Sequence, residues 1–345
     1  MGNGLELSFR GNTGMINLKN INRKSVNFTS ENLIKTESIS LDRRSPLVIE
    51  PTISELDLIT WADNNRNWIE SNLLKYGALL FRNFKLNSET DFEKFIQAIS
   101  GELLDYSYRS TPRTLVNGKI YTSTEYPAEQ FIPLHNEMSY TRNWAMKIWF
   151  YCIQPAAKDG ATPIADSREV FKKIPLQIRK KFIDRQIMYV RNYGRGLDLD
   201  WQNVFQTNNK VEVENYCRQA GIEFEWLNEN HLKTRQVCQA IATHPITKEI
   251  VWFNQAHLFH VSNLPLTVRE SLLSMMSEQD LPRNAFYGDG TPIENSIIEE
   301  INDIYRQEAI IFTWQTGDIL MLDNMLFAHG RNPFSGSRKV LVGMA

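Results

Sequence analysis

The segment Pro133-Leu-His-Asn-Glu-Met-Ser-Tyr140 sets an imidazole and a carboxylate two residues apart. Residues i and i+2 of a β-strand face the same way. On a strand, His135 and Glu137 would therefore offer one nitrogen and one oxygen side by side. A metal held by such a pair needs a third donor from elsewhere. The stretch Asp318-Ile-Leu-Met-Leu-Asp-Asn-Met-Leu-Phe-Ala-His329 supplies a candidate in His329. The pairing alone is weak evidence. With 40 acidic residues and 6 His in 345 positions, an acid two places after a His is common by chance.

Two His and one carboxylate that leave coordination positions open form the facial triad of non-haem Fe(II) oxygenases. Such a centre can take a chelating keto-acid and then dioxygen. The remote carboxylate of a keto-acid needs a cation with parallel donors, a geometry that suits Arg better than Lys. Arg338 stands nine residues after His329, and Thr162 stands 27 after His135. The Thr hydroxyl can add a second bond to the same carboxylate.

The elements that must carry these residues are legible in outline. Apolar residues at helical spacing from Ser54 to Tyr76, with Ser54 as cap and Gly77 as stop, predict a helix. Ala78 to Phe81 is a short buried strand. A second helix opens at Ser88 and closes at Gly101. Lys147 to Gln154 reads as a strand, Asp159-Gly160 as a turn, and Thr162 to Asp166 as a returning strand. Ser167 is expected to cap the next helix, with Asp166 and Arg168 paired. Leu176 to Ile187, Val211 to Ala220, Leu266 to Met276 and Ser296 to Glu308 are further helices. Phe224 to Trp226, Ile310 to Trp314, Asp318 to Asp323 and Lys339 to Met344 are strands. His244 to Glu249 is a hairpin turn. Met188 to Val204 and Pro282 to Pro292 read as irregular, recognition-bearing loops. Short strands with helices around them favour a mainly β fold with helical cover (α+β), a sandwich or jelly-roll.

Composition bounds the function. A chain of 345 residues, 42% hydrophobic and 23% charged, can bury a large core. Net charge −2 gives no electrostatic case for nucleic acid or an anionic membrane surface. No apolar run approaches the ~20 residues of a membrane span, and no signal-peptide pattern is evident. Cys152, Cys217 and Cys238 lack metal or redox spacing and read as reduced thiols, so a cytoplasmic setting is expected.

The order His-x-Glu, Thr, distal His, Arg resembles the taurine dioxygenase (TauD/TfdA) family of Fe(II)- and 2-oxoglutarate-dependent oxygenases. The likeness is carried by the Pro133 to Tyr140 block, by Gly160-Ala-Thr-Pro-Ile-Ala-Asp-Ser-Arg168, and by Trp314-Gln-Thr-Gly-Asp through His329-Gly-Arg331. These blocks are similar to the syringomycin-type aspartyl hydroxylases of nonribosomal peptide pathways. The resemblance implies a double-stranded β-helix (jelly-roll, cupin-like) core. The oxygenase domain is expected at 46–345 with a helical insert at about 165–235, behind a partly flexible arm at 1–45; the resemblance covers roughly 55–345. It implies His135, Glu137 and His329 as metal ligands, Thr162 and Arg338 as the 2-oxoglutarate clamp, and Fe(II), 2-oxoglutarate and O2 as cofactors. Glu137 departs from the Asp of many members, though clavaminate synthase-like members also use Glu. A carboxylate at this position argues against a halogenase. Val342 stands where the taurine enzyme carries a second Arg, which argues against a sulfonate substrate.

The activity so implied is hydroxylation of an unactivated C–H of an amino acid or acyl substrate, with carrier-protein tethering as an option, in natural-product biosynthesis. Desaturation or epoxidation at the same iron is the alternative, and a non-catalytic jelly-roll binding module is a second. A zinc hydrolase would lack its HExxH motif. Arg191, Arg195 and Asn254 are substrate-contact candidates, and Arg331 is a second candidate for the clamp. His231 and His244 read as surface residues. His257 and His260 have a metal-like spacing without a carboxylate.

Overall fold

The computed structural model describes residues 33–39, 44–105, 108, 110–194 and 196–345. Most of the predicted arm lies outside these. Within it, Ile34–Ser38 forms the edge strand of the main sheet.

That sheet has eight strands, in the order Ile34–Ser38, Leu47–Pro51, Ala78–Phe81, Ile319–Asp323, Lys147–Gln154, Lys339–Met344, Ile120–Thr122, Leu115–Asn117. All neighbours are antiparallel except Leu47–Pro51 with Ala78–Phe81. Its central strands alternate with period two, so they separate two cores. Trp149, Tyr151, Ile319, Met321 and Leu341 face the helices Leu58–Asn64, Arg66–Tyr76 and Glu89–Ser100. Ile148, Phe150, Leu320, Leu322, Val340 and Val342 pack on the opposite side with Ile164 and Phe327. The last two belong to a smaller sheet, Ile132–His135, Phe327–Arg331 and Ile164–Asp166, with Phe327–Arg331 central. Two largely antiparallel sheets thus face one another across an apolar layer, with helices on the outer face of the larger one.

Gly330 explains how closely the small sheet packs. A Cβ there would lie 2.6 Å from the Ile132 carbonyl oxygen, where the register between the two strands shifts. Any side chain would force the strands apart beside His329. Gly77 has φ +72 and closes its helix through a bond to the Leu73 carbonyl, as its sequence position predicted.

A third layer holds the strands Glu223–Trp226, Leu232–Cys238, Ile187–Tyr193 and Arg283–Tyr287 in that spatial order. This corrects two readings. The segments read as loops at Met188 to Val204 and Pro282 to Pro292 each contain a buried strand. Their Tyr, Arg and Asn side chains looked solvated, but Tyr189 and Tyr193 are turned into an aromatic core with Tyr140, Phe259 and Phe205, and Asn192 donates to the carbonyls of Gln279 and Leu281. The sheet also draws its fourth strand from well beyond residue 235.

Smaller corrections follow from capping and burial. Asp57, not Ser54, caps the first helix, and that helix breaks at Asn65. Asp166, not Ser167, caps Ser167–Lys173 and also grips Arg168 at 2.6 Å. Of the strand expected at Ile310 to Trp314, only a bridge from Ile310 to Ile164 forms. His231 is half-buried. His244 is fully buried instead of exposed, and its Nε2 lies 3.0 Å from Asp323 Oδ2. Its Nδ1 accepts from the Ile246 and Thr247 backbone, so the Nε2–H donates to Asp323.

Asp323 Oδ1 also accepts from the Met325 and Leu326 backbone, which shapes the turn into the His329 strand. Asp323→Ala leaves three buried donors without their acceptor. Equilibrium urea unfolding should show a loss of about 3 kcal/mol or more. A loss below ~1 kcal/mol would mean the turn stands without that carboxylate.

Candidate metal centre and cosubstrate pocket

His135 and His329 sit directly opposite each other on neighbouring antiparallel strands. Their rings lie 4.6 Å apart. Register alone therefore juxtaposes two residues 194 positions apart (329 − 135). The ligand-capable atoms of His135, Glu137 and His329 all lie within 4.8 Å of one another.

Glu137 reaches the cluster by a different route from the one its spacing suggested. The strand ends at His135, and Glu137 lies in the turn that follows, with Met138 at φ +57. Asn324 places that turn. Its Oδ1 accepts from the Glu137 backbone N–H at 2.7 Å, and its Nδ2 donates to the carbonyls of Glu137 and Ala145. Asn324 is fully buried, and a satisfied network of this kind fixes one geometry. Asn136, beside it, donates to Ser167 and to the Asn324 carbonyl.

The donors suit a divalent transition metal. His135 Nδ1 donates to the Pro133 carbonyl at 2.8 Å, which leaves the Nε2 lone pair for a ligand. His329 Nε2 lies 3.7 Å from Glu137 Oε2. Burial pushes the pKa of both imidazoles down, well down for His329, where His135 and Arg113 add to the effect. Both rings are thus neutral at neutral pH, the form that binds a metal. Two neutral nitrogens and one carboxylate oxygen match the donor set of an Fe(II) facial triad.

The adjoining cavity is lined by His135, His329, Thr162, Arg338, Arg113 and Phe150, among others. Arg338 enters from the start of Lys339–Met344. Its Nε donates to the Gly160 carbonyl at 3.0 Å, and its two Nη atoms reach Ser123 Oγ (3.4 Å) and Thr162 Oγ1 (3.3 Å). All three partners are neutral. Burial, with Arg331 nearby, holds the guanidinium down to about 10, so it is still a cation at neutral pH. A buried cation among neutral partners is a site for an anion.

Thr162 Oγ1 also accepts from Trp314 Nε1 at 3.1 Å. Two donors occupy its acceptor sites, which leaves the hydroxyl proton to donate. Arg331 serves differently. Its guanidinium donates to the carbonyls of Thr124, Tyr126, Pro127 and Gln130 and pins that loop.

The substrate-contact candidates fare unevenly. Arg191 is buried to 2% exposure within the third layer, with its guanidinium over Tyr108 (5.2 Å) and Tyr193 (5.0 Å). Asn254 is fully buried and bonds the backbone of Ala240 and Ala256, so it caps local structure away from the cavity lining. Arg195 lies outside the described residues. His257 Nε2 donates to the Leu134 carbonyl at 2.8 Å and supports the His135 strand from behind, and His260 bonds Ser262. Sequence reasoning gave no role to Asn324, Arg113, Trp314 or Ser123. Asn324 does follow a strand in an Asp-Asn pair, a turn signal that could have drawn attention to it.

Residues 43–345 match the family described as "Taurine catabolism dioxygenase TauD, TfdA family". The dapdiamide synthesis protein DdaC of Enterobacter agglomerans is 43% identical over 276 residues, which is 80% of this chain and 84% of that protein. A clavaminate synthase-like protein of Arabidopsis thaliana is 30% identical over 292 residues, 81% of this chain and 84% of that protein. Among solved structures, PvcB, an Fe, alpha-ketoglutarate dependent oxygenase from an isonitrile synthetic pathway, superposes with TM-score 0.55 at 13% identity. It covers 92% of this chain and 93% of its own; PvcB from Pseudomonas aeruginosa gives 0.54 at 12%. AAD-2 in complex with Mn(II) and N-oxalylglycine gives 0.51 at 13%, covering 90% of this chain and 96% of its own. No helix among the described residues is long and apolar enough to cross a membrane. With the family match and two relatives spanning four-fifths of its length, the chain belongs to the TauD/TfdA family and is an Fe(II)- and 2-oxoglutarate-dependent oxygenase with a jelly-roll core.

Proposed function

We propose that the chain hydroxylates an unactivated C–H bond of an amino acid or acyl substrate, presented by a carrier protein, in the synthesis of a small natural product. His135, Glu137 and His329 are the proposed iron ligands, and Thr162 and Arg338 the proposed 2-oxoglutarate clamp. The observation that carries this reading is one cavity that joins a cross-strand His pair to a buried Arg with neutral partners. The word synthesis in the name of the relative from Enterobacter agglomerans supports the biosynthetic setting.

When bound, iron with 2-oxoglutarate and O2 supplies the oxidising power, and 2-oxoglutarate leaves as succinate and CO2. The chain's own residues bind and orient. Arg338 and the Thr162 proton grip the remote carboxylate. Phe150, its ring 4.9 Å from His329, and Val342 exclude water from one wall. Val342 adds no cation there, which fits a substrate without a sulfonate.

Anaerobic addition of Fe(II) and 2-oxoglutarate should give the weak visible charge-transfer band of a chelated keto-acid. His135→Ala should abolish it, and iron binding without a band would remove the 2-oxoglutarate role. Arg338→Gln should raise the KM for 2-oxoglutarate about 10- to 100-fold, the loss of one charge-assisted pair. An unchanged KM would move the clamp elsewhere. Mass analysis of free and carrier-bound candidates should show succinate formation coupled to gain of one oxygen atom on the carrier-bound form. Loss of two hydrogens instead would mean desaturation, and equal turnover of the free form would remove the carrier.

A further inference from the structure

Arg113 lies on the cavity wall between the short Leu115–Asn117 strand and the metal cluster. Its side chain is 3% exposed, and its Nη2 donates to Glu137 Oε2 at 2.6 Å, a charge-assisted bond between two buried groups. The same Oε2 is the carboxylate oxygen 3.7 Å from His329 Nε2. A guanidinium on the cluster-facing oxygen repels any cation bound there. Its presence needs an offsetting gain.

The gain follows from where Glu137 stands. Its backbone is fixed by Asn324, but its side chain leaves a turn and carries one more rotatable bond than Asp. Left alone, such a carboxylate can swing to offer both oxygens to a metal. That would take a coordination position that a chelating keto-acid needs. We infer that Arg113 is a positioning residue that holds Glu137 to one-oxygen coordination and so keeps the metal face open for 2-oxoglutarate. This rests on the proposed ligand set and adds a residue that acts on the metal face through Glu137.

The inference separates two quantities that usually move together. Removing the guanidinium removes repulsion, so metal affinity holds or tightens. It also frees the carboxylate, so cosubstrate affinity falls. Calorimetric titrations of the full chain with Mn(II), and then of the Mn(II)-loaded protein with N-oxalylglycine, measure the two without turnover. For Arg113→Gln the expected result is an unchanged or lower Kd for Mn(II), with a Kd for N-oxalylglycine raised at least tenfold. The Fe(II)–2-oxoglutarate band should shift or fade in parallel. Arg113→Lys keeps the charge and one donor, and should lie between Gln and wild type. Equal weakening of both ligands, or no change in either, would overturn the positioning role. If Arg113→Gln does not fold, Arg113→Met, which removes charge and donor at similar length, decides: a cosubstrate Kd equal to wild type at unchanged metal affinity refutes it. Failure of wild type to bind N-oxalylglycine at all would instead strike the ligand assignment itself.

Discussion

The candidate site depends on one register. His329 and His135 are partners across two antiparallel strands, and a slip of one residue would turn one ring away from the other. Several features hold that register. Gly330 permits close approach to the Ile132 carbonyl, and its N–H donates to the Pro163 carbonyl. Ala328 pairs with Ala165 on the other side of the strand. His257 holds the Leu134 carbonyl from behind. Apolar packing between the sheets then makes any other register bury the wrong face. The fold supplies the His pair through backbone pairing, and the carboxylate must be brought to it separately.

That division explains what the sequence revealed. The three proposed ligands, Thr162 and Arg338 were singled out because their types carry chemistry and their order follows a family pattern. The geometric argument first offered for Glu137, a shared strand face, was not the one the molecule uses. The strand stops two residues early, and Asn324, 187 positions away, does the placing. A residue that orients through its amide has no distinctive spacing. Its role exists only once the turn after Asp323 meets the turn after His135. The buried strands Ile187–Tyr193 and Arg283–Tyr287 were missed for a related reason. Tyr, Arg and Asn read as solvated in isolation, yet here they sit in a layer where Arg283 pairs with Asp198 at 2.7 Å and Tyr189 meets Tyr140 edge-on. Short continuous apolar runs rich in β-branched and aromatic residues, such as Lys147–Gln154, were read correctly because that signal is local.

Three arginines around the cavity show that partners, not residue type, set the role. Arg331 gives its donors to four backbone carbonyls and is spent on holding a loop. Arg113 bonds the cluster carboxylate. Arg338 has only neutral hydrogen-bond partners among the described residues, so none of them pairs its charge with an acid. Sequence could rank Arg338 above Arg331 only by spacing and resemblance. The accounting of acceptors ranks them on physical grounds.

The same accounting runs through Thr162. Trp314 and Arg338 both donate to its oxygen, so the hydroxyl hydrogen is directed by elimination. The strand expected from Thr162 begins only at Ile164, so β propensity does not account for Thr162. The indole and the guanidinium make it a fixed donor beside a buried cation. Thr162 and Arg338 line the same cavity as His135 and His329, which fits the proposed ligand, with a carboxylate at one end and metal-binding atoms at the other.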